Sequence, residues 1–161
     1  MQRVTLGRSG LSVSRLALGG LFVNADPANL DGAKRAVARA AELGINYIDT
    51  APTYGRSEEV LGQVLKDVKG DFLISTKLGG KPDTFKPQDK ACLMASVENS
   101  LKLLGRDHID ILMVHEPDRS QLYNWWTDWN AVTGPVLEVL DELKRKGVIR
   151  YAGLGGTTAC Q

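Results

Sequence analysis

Short and nearly continuous apolar runs alternate along this chain with longer stretches in which apolar residues recur every three or four positions. The runs predict buried strands, and the spaced positions predict amphipathic helices. Strands that are apolar on both faces are typical of a parallel sheet covered by helices. Residues 4–14 differ from this alternation, and they predict a short hairpin that turns at residues 8–10.

The alternation predicts a specific order of elements after the hairpin. Strands are expected at 15–20, 47–51, 72–78, 109–115 and 149–155, and helices at 29–43, 57–68, 87–104 and 135–146. Ser57 is a suitable N-cap for the second helix, and Pro87 is compatible with the first turn of the third. A hairpin followed by (βα)4β is the N-terminal part of a (β/α)8 barrel of the TIM type, so we expect one α/β domain over residues 1–161.

The competing α/β architecture is a doubly wound sheet that binds a dinucleotide at a glycine-rich turn. Residues 153–158 begin like that fingerprint, but threonine stands at its sixth position. The first predicted strand ends in Gly19-Gly20 without the remaining glycine. Because neither segment completes the pattern, the barrel is favoured.

The length of the chain is short for such a barrel. An eight-stranded barrel usually takes about 250 residues, whereas this chain has 161. We therefore expect the N-terminal portion of a longer protein or a truncated product, weakened or inactive by itself. A native half-barrel that pairs with itself is the alternative, since exposed sheet edges favour self-association.

Composition narrows the class of protein further. With 43% hydrophobic residues, 24% charged residues and a net charge of +1, the chain is typical of a soluble globular protein without a nucleic-acid partner. Cys92 and Cys160 show no metal-ligand spacing, so reduced thiols and no metal are expected. An apolar leader and a membrane-length run are both lacking, which favours the cytoplasm and no membrane partner.

Four polar side chains lie at or just past the C-terminal ends of predicted strands. They are Asp49, Tyr54, Lys77 and His115. Active sites of α/β barrels are built at the C-terminal ends of the strands, so these groups are expected to converge. A phenol is a weak acid at neutral pH, and a neighbouring ammonium stabilises its conjugate base. The constellation therefore predicts proton-transfer chemistry.

Each of these residues also has an ordinary structural interpretation. Tyr54 is suited to half-buried packing, Asp49 to capping a turn, Lys77 to reaching solvent and His115 to bonding loop backbone. The hypothesis of a catalytic site depends on their conjunction at three consecutive strand ends.

Residues 44–58, 75–79 and 114–118 carry a resemblance to the aldo-keto reductase superfamily. The resemblance implies a (β/α)8 barrel and the NAD(P)-dependent interconversion of a carbonyl and an alcohol. By the same resemblance, Tyr54 is the proton donor and His115 orients the oxygen of a small aldehyde, ketone or sugar. The cofactor implied is NADP(H), with NAD(H) as the alternative.

The resemblance also implies residues that bind the cofactor. Gly20, Asp49, Gly155 and Gly156 are candidates for the cofactor. Many relatives have Ser-Asn where Gly155-Gly156 stands, so this chain is more similar to the aldose and galactose dehydrogenase-like branch.

Substrate contacts are expected from Tyr54, His115, Phe22 and Trp125. Trp125 belongs to an aromatic cluster in the long loop after the fourth strand, together with Tyr123, Trp126 and Trp129. The alternative for that cluster is a satellite core beneath the loop.

Two other functions stay open at this point. A relative of the superfamily can act as a non-catalytic binding or regulatory protein. Lys77 could instead form a Schiff base, as in class I aldolases, although an aspartate partner would keep its amine protonated.

Overall fold

A computed structural model describes residues 1–23, 30–80 and 84–157 of the chain. The β-strands of these ranges are β1 (Arg3–Thr5), β2 (Ser12–Ser14), β3 (Leu18–Gly19), β4 (Tyr47–Asp49), β5 (Leu73–Leu78), β6 (Ile109–His115) and β7 (Ile149–Gly155). The α-helices are α1 (Leu30–Glu42), α2 (Ser57–Asp67), α3 (Lys90–Leu104) and α4 (Pro135–Arg145). Single 3-10 turns occupy Gly7–Ser9 and Gly20–Val23.

The main sheet is parallel, and its strand order follows the chain. Within the described ranges it has five strands in the order β3-β4-β5-β6-β7. From β4 onwards, one of the helices α2, α3 and α4 connects each strand to the next. This arrangement is a partial barrel, and it confirms the predicted (β/α)8 class.

The hairpin lies against the inner face of the sheet. β1 and β2 form the predicted hairpin, and they pair antiparallel with Val4 opposite Val13. Leu11 and Val13 are buried in one small cluster with Ile111 of β6. The backbone N–H of Ser14 also donates to Asn46 Oδ1 at 2.8 Å, next to the start of β4. The hairpin thus packs near the N-terminal ends of the strands and leaves their C-terminal ends free for a site.

The other face of the sheet packs against the helices in two buried clusters. One joins α1 and α2 to β4 and β5 around Val37, Ile48 and Leu61. The other joins α3 and α4 to β5, β6 and β7 around Leu112 and Trp125. Because side chains alternate along a strand, the residues between these buried positions point to the inner face of the sheet.

Several predicted boundaries differ from the structure. Ser57 is not the N-cap of α2 but its first residue, and its side chain is buried and bonded elsewhere. The third helix begins at Lys90, three residues after Pro87, because Asp89 caps it by accepting from two backbone N–H groups of the first turn. β3 and β4 are shorter than predicted.

Candidate active site

Three strand ends and one loop bring the four predicted side chains together. Asp49 is the last residue of β4, Lys77 lies one residue before the end of β5, and His115 is the last residue of β6. Tyr54 follows five residues after Asp49, in the loop that leads to α2. The C-terminal edge of the sheet therefore gathers a carboxylate, a phenol, an ammonium and an imidazole, as the sequence predicted.

Lys77 and Asp49 form a partly buried ion pair. Lys77 Nζ donates to Asp49 Oδ2 at 2.8 Å and to the backbone oxygen of Thr50 at 2.8 Å. Asp49 Oδ1 accepts a second bond, at 2.6 Å, from the hydroxyl of Ser75. The Lys77 side chain is only 7% exposed and that of Asp49 31%. Because these bonds compensate the buried charge, the ammonium has a fixed position.

The ammonium contacts the face of the Tyr54 ring. Lys77 Nζ lies 4.8 Å from the ring centroid, which is the distance range of a cation–π contact. Its two described hydrogen bonds go to Asp49 and Thr50, so the link to the tyrosine is electrostatic. A positive charge this close stabilises negative charge that develops on the phenol.

His115 completes the group as a neutral imidazole. Its ring meets that of Tyr54 edge to face, with centroids 6.1 Å apart. Burial lowers the pKa of His115 below its ordinary value of 6.5, and the charge of Lys77 lowers it further, against smaller opposing effects of Glu116 and Asp49. At neutral pH the ring therefore carries one N–H and one lone pair.

The lowered pKa of His115 leads to a prediction about stability. Since the unfolded chain binds a proton at higher pH than the folded one, the free energy of unfolding should fall as pH drops below about 6.5. Chemical denaturation from about pH 8 down to about pH 5.5 measures this dependence. His115→Gln should have a shallower slope in that window. An equal slope in both proteins would contradict the buried neutral imidazole.

Tyr123, from the loop after β6, covers His115 on another side. The two rings are stacked at 6.5 Å with an interplanar angle of 26°. Phe85 and Trp125 pack behind Tyr123, with centroids 5.9 Å and 5.2 Å from its ring. Tyr123 is half-buried, and burial raises its pKa above the ordinary value of 10.0. Tyr123 thus borders the four candidate side chains through its contact with His115.

The expectation of a substrate contact from Trp125 does not fit its position. Trp125 is fully buried, and its indole Nε1 donates to the backbone oxygen of His115 at 2.8 Å. A side chain without exposed surface has none to offer a substrate. Its place in the helix-side cluster agrees with the alternative of a core beneath the loop, where it supports the backbone at the end of β6.

The predicted glycines have different surroundings. At Gly20 a Cβ would lie 2.7 Å from Ser57 Oγ and 2.9 Å from the oxygen of Asp49, so close packing explains this glycine. At Gly155 a Cβ would lie 3.5 Å from Lys77 Cε, which places the end of β7 beside the lysine stem. At Gly156 a Cβ would lie 2.6 Å from Asp118 Oδ1.

Some expectations fall outside the described part of the chain. These are the side chain of Phe22 and the whole of Cys160. Among the described residues, no group of three or more His, Cys, Asp or Glu side chains could hold a metal ion. In the same ranges, none of the helices has the length and apolar character that crossing a membrane requires.

Sequence reasoning missed the hydroxyl groups that hold the site. Ser57 Oγ bonds the backbone oxygen of Gly20 at 2.7 Å and lies 2.8 Å from Thr50 Oγ1, so it joins β3, β4 and α2. The hydroxyl of Thr76 donates to the buried Glu58 at 2.6 Å and fixes the start of α2 against β5. In the sequence, these hydroxyl residues could have been noticed because they lie within or beside the segments that carry the four candidate side chains.

Comparison with known proteins agrees with this geometry. The family model described as Aldo/keto reductase family matches residues 15–161, so the chain belongs to that family. It is 31% identical over 158 residues to L-galactose dehydrogenase of Arabidopsis thaliana, covering 94% of this chain and 47% of the relative. It is 34% identical over 125 residues to a rice protein named as a voltage-gated potassium channel subunit beta, covering 73% and 38% respectively.

A solved structure supports the same assignment. The holo form of an aldo-keto reductase from Bacillus halodurans superposes with a TM-score of 0.78 at 32% identity. The match covers 97% of this chain and 50% of that one. The chain thus spans about half the length, or less, of these three proteins.

Proposed function

We propose that this chain carries the proton-transfer site of a nicotinamide-dependent oxidoreductase that interconverts a carbonyl and an alcohol. The single observation that carries the proposal is the contact chain from Asp49 through Lys77 to Tyr54, with His115 beside the phenol. Membership of the Aldo/keto reductase family supports the same class of reaction.

Each side chain has a distinct part in the proposed reaction. When a reduced nicotinamide is bound, it would supply the hydride that the carbonyl carbon receives. Tyr54 gives its hydroxyl proton to the oxygen on which negative charge develops. Lys77 stabilises the phenolate that remains, and Asp49 holds Lys77 in place. His115 donates a hydrogen bond that orients the substrate oxygen.

The end of β7 fits part of the proposed cofactor. Gly155 carries no side chain there, so a planar ring could approach the backbone next to the stem of Lys77. Gly156 and Gly20, by contrast, are accounted for by close packing against Asp118 and Ser57. We expect NADP(H) in preference to NAD(H), and Asp49 to border the nicotinamide.

The proposed substrate is a small aldehyde, ketone or sugar. The similarity to L-galactose dehydrogenase favours a sugar among these. Tyr123 takes the place proposed for Trp125 at the substrate, because it is half-buried and stacked on His115. We also expect a cytoplasmic location and self-association through the outer edges of β3 and β7.

The full natural protein that contains this chain provides the test. We expect NADPH to quench its tryptophan fluorescence saturably, and a panel of aldehydes, ketones and aldoses to be reduced with loss of NADPH absorbance. NADH is measured in parallel with NADPH in both assays. Failure of both nicotinamides to bind at millimolar concentration would contradict the proposal.

A binding protein without turnover is the second candidate function. The rice channel subunit supports it, because it shares 34% identity over most of this chain. Saturable NADPH binding without reduction of any substrate in the panel would favour this candidate. The Schiff-base alternative is disfavoured, because the amine of Lys77 is engaged in an ion pair with Asp49 at 2.8 Å. A borohydride-trapped adduct on Lys77 would revive it.

A further inference from the structure

We infer that Thr53 is a positioning residue for His115: its hydroxyl donates a hydrogen bond to Nδ1 and thereby keeps the ring proton on Nε2. Thr53 directly precedes Tyr54, and its Oγ1 lies 3.3 Å from His115 Nδ1. This inference deepens the proposed function and rests on it, because it concerns how His115 presents an N–H to the substrate oxygen.

Packing fixes the orientation of the Thr53 side chain. The methyl carbon Cγ2 lies so close to the backbone of Gly80 that a Cβ built there would be 2.2 Å away. Gly80 also has a φ of +76°, in the left-handed region that favours glycine. With the methyl group held against the loop after β5, the hydroxyl is directed to His115. The close approach of Thr53 and the positive φ together explain why position 80 is a glycine.

The remaining ring contacts do not distinguish the two nitrogens. Tyr54 meets His115 edge to face, and Tyr123 stacks on it at 26°. Such contacts orient the plane of the imidazole but place no donor or acceptor at a particular nitrogen. Trp125 bonds the backbone oxygen of His115 and fixes the main chain. Among the described contacts, the one with Thr53 is the hydrogen bond that meets a ring nitrogen, and it meets Nδ1. A hydroxyl that donates there favours the tautomer with the proton on Nε2.

The choice of tautomer decides what His115 can do. A neutral imidazole has one donor and one acceptor nitrogen. If Thr53 donates to Nδ1, Nε2 keeps the proton and can donate to a carbonyl oxygen. With the proton on Nδ1, the lone pair on Nε2 would meet the lone pairs of the substrate oxygen. The hydroxyl of Thr53 thus prepares the donor before the substrate binds.

Nitrogen NMR tests the tautomer without any need for turnover. The 161-residue chain has two histidines, so 15N-histidine labelling gives a simple long-range proton–nitrogen spectrum in which His108 is an internal reference. Near neutral pH we expect the Nε2–H form for His115. Thr53→Val keeps the shape but loses the hydroxyl, and should at least double the fraction of the Nδ1–H form. Thr53→Ser should resemble the wild type.

Two results would overturn the inference. One is an Nδ1–H form in the wild type, and the other is an unchanged tautomer ratio in Thr53→Val. Thr53 is exposed, so Thr53→Ala serves as a second variant if valine disturbs the fold. These results do not depend on whether the protein is a reductase.

Kinetics of the full natural protein provide the second arm. Thr53→Val should lower kcat about three- to tenfold, the effect of one neutral hydrogen bond, with little change in the Kd for NADPH. Thr53→Ser should restore most of the rate. Equal rates of Thr53→Val and Thr53→Ser would contradict a role of the Thr53 hydroxyl but leave the reductase proposal intact. Absence of NADPH-dependent turnover in the wild type would instead contradict the proposed function.

Discussion

Replacing Tyr54 with phenylalanine is expected to lower kcat of the full natural protein by about 10²- to 10⁴-fold, the range of general acid catalysis. The phenylalanine ring keeps the face that Lys77 contacts at 4.8 Å and the edge-to-face packing on His115. Only the proton donor is lost, so the Kd for NADPH should change little. Steady-state kinetics together with fluorescence quenching separate the two effects.

The matched control for this variant is Tyr123→Phe. Tyr123 also packs on His115, through a stacked rather than an edge-to-face contact. Its hydroxyl has no part in the proposed proton transfer, so kcat should stay within a few-fold of the wild type. Wild-type turnover in Tyr54→Phe, or an equally large loss in Tyr123→Phe, would refute the assignment of the acid.

Replacing Lys77 with methionine is expected to reduce both stability and turnover. The methionine fills much of the same volume but leaves the carboxylate of Asp49 without its cation. Losing one partner of a buried ion pair costs about 3–5 kcal/mol, and since Asp49 is 31% exposed we expect about 1–3 kcal/mol here. Turnover should fall at least about tenfold, because the positive charge 4.8 Å from the Tyr54 ring, which stabilises the phenolate, is lost. Denaturant titration and kinetics measure the two losses.

Two comparisons identify the cause of the loss in stability. Asp49→Asn combined with Lys77→Met should cost less than the sum of the single changes, because the double variant leaves no unpaired charge. Lys34→Met breaks an ion pair of similar length, 2.7 Å to Asp67, but both partners are about half exposed. It should have a much smaller effect, since solvent screens exposed pairs. Additive losses in the double variant would contradict the coupling.

Much of the fold could be predicted from local pattern. The strands β5, β6 and β7 are short segments rich in apolar residues, and their predicted ends agree with the structure within one residue. The candidate site followed from them, because Lys77 and His115 stand at strand ends that must lie at one edge of a parallel sheet. The segment around Asp49 and Tyr54 then carried the resemblance to the family.

Other features could not be predicted because they depend on partners distant in sequence. Ser57 looks like a helix cap, but it is buried against Gly20, which is 37 residues away. Thr53 looks like an ordinary loop residue until β6 brings His115 within 3.3 Å. Trp125 and Tyr123 are alike as aromatic loop residues, and only packing decides that the first is buried and the second borders the site. Periodicity does not contain this information.

Isotope transfer is the most direct test of the central claim that these groups serve carbonyl reduction. The full natural protein would be given an aldehyde or aldose that it consumes, together with NADPH that carries deuterium at the hydride-donating carbon. The account predicts one deuterium on the new carbinol carbon, transferred from a single face of the nicotinamide. A product without deuterium, formed at the same rate, would contradict the account.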